Sequence, residues 1–129
     1  MASKSDIEAY LIRAGVEFEE VEDGTWVITG QGPLSVVVRV DEPIVAYSMN
    51  VMRLPEHGTE GLMRTLLELN AEDMLHASFG LEGDIVVLGG AQQLENLDYN
   101  EFQAMLDDLY MAATNHLPSL KGLTATVTE

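Results

Sequence analysis

The sequence predicts an α+β fold, an antiparallel sheet with helices set apart from it, in the order α-β-β-β-β-α-β-β-α. Apolar residues recur at helical spacing in three segments and form strand-like runs in six others, which follow one another across short turns in a group of four and a group of two. Strands joined that closely pair antiparallel, because a parallel connection needs a crossover of about a dozen residues or more.

The first helix has Ser5 and Glu8 at capping-box spacing, and Ile7, Tyr10, Leu11 and Ala14 form its apolar stripe. Gly15 stands where a C-terminal cap belongs. Residues 16–21 read as a strand, Asp23-Gly24 as a tight hairpin turn, and residues 25–29, with Trp26, as the returning strand. Gly30-Gln31-Gly32-Pro33 closes that strand. Residues 34–40 form a third, Asp41-Glu42-Pro43 a turn, and residues 44–53 a fourth that Pro55 ends. The period then changes. Leu62, Leu66 and Leu69 mark a helical stripe widened by Met63 and Leu67. Leu75, Ala77, Phe79 and Leu81 alternate, Glu82-Gly83-Asp84 turns the chain, and residues 85–88 return. Asp98 with Glu101 signals the start of a long helix. Its face is Phe102, Met105, Leu106, Leu109, Tyr110 and Ala113, and it is expected to end before Pro118. The length suits one domain over residues 1–129, with 121–129 as a frayed tail.

Composition narrows the function. Hydrophobic residues make up 47% of the 129, enough for a folded core and too many for an acidic disordered tail. The absence of cysteine excludes a disulfide scaffold, thiol catalysis and cysteine-ligated metal, and fits a cytoplasmic protein. No run of about 18 apolar residues predicts membrane insertion, and the start of the chain does not read as a signal peptide. With 22 acidic residues against 6 basic ones the net charge is −16, which disfavours nucleic acid as a partner. Between Arg64 and Lys121 stand ten acids and no base. Such a field is either a solvated face or a guide for basic, unfolded segments.

Two strands point to a partner. Leu34, Val36, Val38 and Val40 share one parity of the third strand and Val37 the other. In the fourth, Val45, Tyr47, Met49 and Val51 face Ile44, Ala46 and Met52 across the sheet. Strands apolar on both sides need cover on both. A second copy or a client segment would supply it, or a curved sheet whose halves pack on each other. The methionines read either as core filling or as an adaptable binding surface, and Trp26 either as an anchor or as core.

Sites with chemistry are missing from the pattern. Residues 90–101 fail as a calcium loop, because Gly90, Gln92 and Leu94 fall where oxygen ligands belong. His57, His76 and His116 lack metal-ligand spacing, and Gly89-Gly90 lacks the Lys-Ser/Thr of a phosphate loop. No Gly-x-Ser-x-Gly elbow exists. The expectation is a protein that is not an enzyme and uses no cofactor.

Leu66-Leu67-Glu68-Leu69-Asn70 at a helix end leads to Phe79-Gly80-Leu81-Glu82-Gly83-Asp84 and Ile85-Val86-Val87-Leu88 as a hairpin. Leu94-Glu95-Asn96-Leu97-Asp98 then enters the helix of Phe102, Leu106 and Leu109. With the element order, size and acidity, these residues resemble the type III secretion chaperone-like superfamily, in its Tir-chaperone and YbjN-type branches. The likeness covers roughly residues 62–117 by pattern and the first half by element order alone. It implies a non-enzymatic cytoplasmic homodimer that shields a client segment, or in the YbjN branch a regulatory domain acting on a folded protein. Carried over, it puts the dimer seam on the helix of Leu62, Met63, Leu66 and Leu67. By strand position it assigns partner binding to Trp26, Ile28, Val37, Tyr47 and Met49.

Overall fold

The computed structural model describes residues 3–32, 34–72, 74 and 76–128, so Pro33 and Leu75 lie outside the described residues. The elements are α1 (Lys4–Ala14), β1 (Glu17–Glu22), β2 (Thr25–Thr29), β3 (Val36–Asp41), β4 (Ile44–Arg53), α2 (Thr59–Glu72), β5 (Ser78–Glu82), β6 (Ile85–Gln93) and α3 (Tyr99–Thr128). Their order is the one expected.

The cap of helix α1 lies two residues before Ser5, the cap that the spacing predicts. Ser3 is the cap, with its N–H donating to Asp6 Oδ2 at 2.8 Å, and Lys4 reaches Asp23 at 2.7 Å. The earlier start brings one carboxylate onto an orphan amide and ties the helix to the β1–β2 turn. Ile7 and Leu11 are buried, and Gly15 ends the helix in the left-handed conformation at φ 73°, as its position predicts. The Asp23-Gly24 turn also forms, with Gly24 at φ 77°.

All six strands lie in one antiparallel sheet ordered β1-β2-β3-β4-β6-β5. The long β4 pairs with β6 over its whole length, so α2 and β5 are an excursion between two central strands. Strand β6 runs past Leu88, where the expected strand stops, to Gln93, through Gly89 and Gly90. There glycine is a packing requirement: a Cβ at Gly89 would lie 2.7 Å from the Tyr47 carbonyl oxygen, and one at Gly90 2.8 Å from that of His76.

One face of the sheet carries the core. Trp26, Ile28, Val36, Val38, Val45, Tyr47, Met49, Val86 and Leu88 are buried in one cluster with Ile7 and Leu11 of α1, Leu62 and Leu66 of α2, and Phe102, Met105, Leu106 and Leu109 of α3. Asp98 and Glu101 cap α3 reciprocally, at 2.8 and 3.1 Å. The helix does not stop before Pro118, and its backbone stays helical to Thr128 where a frayed tail is expected from residue 121. Proline inside a helix costs about 3 kcal/mol. Leu117 and Leu120, 8% and 0% exposed, lie beyond or beside it, and burying each returns about 1.5–3 kcal/mol. Tertiary burial carries the helix through.

Candidate functional site

Side chains alternate across a strand, so the residues between the core positions point to the other side of the sheet. Val27, Val37, Ser48 and Gly89 stand in register on neighbouring strands β2, β3, β4 and β6. The next rows hold Arg39, Ala46 and Ala91 on one side and Asn50 and Val87 on the other. Val27, Val37, Ala46 and Val87 are half-buried, and none of them joins the core cluster. The three helices all contribute to the core on the opposite side. Among the described residues, this face has an apolar centre and no helix of its own.

Two hollows open on it. One, of about 240 Å³, is lined by Val37, Arg39, Ala46, Tyr47, Ser48 and Glu82. The other, of about 490 Å³, lies against β1 and β2, where Glu17, Glu19, Val27 and Thr29 share the open face while Phe18, paired with Ile28, packs towards the core. Strand β1 itself carries four glutamates in six residues and is exposed along most of its length. The smaller hollow thus carries one charge of each sign, Arg39 and Glu82, and the larger one is acidic, which suits an extended segment with apolar and basic side chains.

The structure divides the expected partner-binding residues. Trp26, Ile28, Tyr47 and Met49 are at most 2% exposed and belong to the core. Val37 alone stands on the open face. Both parities of β3 and β4 are apolar, and the helices take the richer one, which contained the larger side chains. Val27, Ala46 and Val87 were the residues to name, as members of the poorer parity. Met52, expected opposite the core, packs against it because a register shift between Asn50 and Met52 reverses the alternation.

On α2 the expected seam residues also separate. Leu62 and Leu66 are 2% and 5% exposed and face the chain's own core. Met63 is half-buried, and Leu67 is 68% exposed. The outward face of α2 is therefore Leu67 with the edge of Met63.

Polar groups under the sheet act as ties. The Tyr47 hydroxyl donates to Gln92 Oε1 at 2.6 Å, and Gln92 Nε2 donates to the Glu101 carbonyl at 3.1 Å, which links β4, β6 and the start of α3. Burial pushes the Tyr47 phenol well above its ordinary value and the Tyr110 phenol up to about 12. The Tyr10 hydroxyl donates to the Leu97 carbonyl, and the Arg13 guanidinium lies 4.2 Å from the centre of the Tyr99 ring. His76 is half-exposed 3.9 Å from Asp108, and His116 meets the Phe79 ring edge-on. Among the described residues no group of His, Asp and Glu could hold a metal ion, and no helix is long and apolar enough to cross a membrane.

The architecture has known counterparts. The family model CesT_Tir_1 matches residues 1–126. No curated protein sequence matches the chain. A chain of the heterodimeric ExoU–SpcU complex from the type III secretion system of Pseudomonas aeruginosa is 16% identical over 87% of this chain and 95% of that one, with a TM-score of 0.71. The complex of the Yersinia pestis type III secretion chaperone SycH with a fragment of YscM2 contains a chain 17% identical over 87% of this one and 97% of that one, at 0.64. YbjN of E. coli, described as a candidate transcription regulator, is 13% identical over 88% and 92%, at 0.65. At these identities the likeness is one of fold.

Proposed function

The chain belongs to the CesT_Tir_1 family of type III secretion chaperones, and from that premise we propose that it is a non-enzymatic, cytoplasmic protein-binding module. It works as a homodimer and shields an extended apolar or basic segment of a partner protein. The observation that carries this reading is the distribution of helices: all three serve one face of the sheet, and the other presents Val27, Val37, Ala46 and Val87, with the glutamates of β1 along one side. An apolar surface with carboxylates beside it attracts a basic unfolded segment at long range and holds its apolar side chains at short range. The outward face of α2, with Leu67 and Met63, is the dimer seam.

Complexes with a second protein among the structural neighbours support a protein client. The likeness to YbjN supports a second reading, a regulatory domain that engages one folded protein. Purified chain is tested by sedimentation equilibrium at micromolar concentration, by a hydrophobic dye, and by suppression of aggregation of a reduced, basic model protein. The proposal expects a dimer, dye binding, and suppression that weakens as salt is added. A monomer that binds no dye and leaves aggregation unchanged overturns it. Dimer and dye binding without suppression overturn the shielding role and leave the regulatory one.

A further inference from the structure

A sheet has two edges, and each exposes backbone groups that a further strand could pair with. In the β5–β6 hairpin Glu82 and Ile85 flank a two-residue turn and form its closing pair. Antiparallel pairs alternate between hydrogen-bonded and non-bonded. Counting back from Glu82, Gly80 and Ser78 bond to β6, whereas Leu81, Phe79 and Ala77 direct their N–H and C=O groups outward, to the free side of β5.

Two side chains from other elements meet those groups. Asn70, near the end of α2, accepts from the Phe79 N–H through Oδ1 at 2.7 Å and donates from Nδ2 to the Phe79 carbonyl at 3.0 Å. Its amide makes both bonds that a paired strand residue would make. Asp108 of α3 accepts from the Ala77 N–H at 3.1 Å and from the His76 N–H at 2.8 Å. Among the described residues, the Ala77 carbonyl and both outward groups of Leu81, a residue 48% exposed, have no such side-chain partner. The β1 edge differs in carrying four exposed glutamates.

We propose that Asn70 and Asp108 seal the β5 edge, so that neither a second copy of this chain nor a client strand extends the sheet there. The partner excluded first is another β5. Its Ala77-Phe79-Leu81 run would pair antiparallel with the same run of its twin, with apolar side chains matched on one side.

Amide hydrogen exchange on the unaltered protein gives the first test. The Phe79 amide faces away from β6, and the seal expects it to exchange roughly tenfold more slowly than that of Leu81. Equal rates overturn the proposal. The second test compares Asn70→Asp, which keeps the acceptor and loses the donor, with Asn70→Ala/Asp108→Ala, both by circular dichroism and by light scattering. Folded double variant is expected at twice the mass of the unaltered protein, Asn70→Asp at an intermediate average mass. Adding Leu81→Pro, which removes the outward N–H, returns the original mass. A role confined to positioning the α2–β5 connection would lower stability without changing mass. Folded variants at the original mass therefore overturn the proposal.

Discussion

Leu67→Asp separates assembly from folding. The side chain is 68% exposed in the single chain, and its neighbour Leu66 is 5% exposed. In a two-fold seam built on the outward face of α2, one Leu67 enters from each copy. Burying a whole leucine side chain is worth about 1.5–3 kcal/mol, and the exposed share of this one about 1–2 kcal/mol. Two copies lose about 2–4 kcal/mol together, which weakens the dimer ~30-fold to ~700-fold. Sedimentation equilibrium over a concentration series reads that change, and the melting temperature at high dilution stays that of the unaltered chain. Leu66→Asp is the contrast. It places an unpaired charge in the core and lowers the melting temperature whatever the assembly state. A folded Leu67→Asp chain with an unaltered dissociation constant refutes the placement of the seam.

Other substitutions probe the sheet. Val37→Glu adds a charge to the open face without entering the core. It is expected to leave the melting temperature nearly unchanged while dye binding and suppression of aggregation fall, and retention of both excludes this face as the binding surface. Gly89→Ala sets a methyl group 2.7 Å from the Tyr47 carbonyl and is expected to cost about 1–3 kcal/mol in urea unfolding. The buried phenols give a pH dependence. Tyr47 and Tyr110 are held neutral above the ordinary value of 10, so the unfolded chain releases these protons first and stability falls as pH rises from about 10 towards 12. Tyr47→Phe, followed by denaturant titration, flattens that fall; an unchanged slope contradicts the assignment.

The elements were legible because each rests on a local signal. Gly15 and Gly24 needed only their own left-handed geometry, and the Asp98–Glu101 cap only a spacing of three. Features that depend on distant contacts were not. Pro118 reads as a stop until Leu117 and Leu120 are seen in the core, and the last strand reads only to Leu88 until the Tyr47 and His76 carbonyls are seen against Gly89 and Gly90. The candidate site was half legible. Two apolar parities on β3 and β4 predicted a face in need of cover, but which parity the helices take depends on how α1, α2 and α3 pack. Trp26 and Tyr47, the most conspicuous side chains, were drawn inward because large apolar groups gain most from burial. Smaller residues remained outside to form the surface.

The alternation along β3 and β4 also assigns separate tasks to adjacent residues. Val36 and Val38 lie in the core, while Val37 between them stands on the open face. These sets touch only through the shared backbone, so outward positions can be exchanged one at a time with little disturbance inside. Such a scaffold can be refitted to a new companion as a tool handle takes a new blade, by changing the lining and keeping the frame.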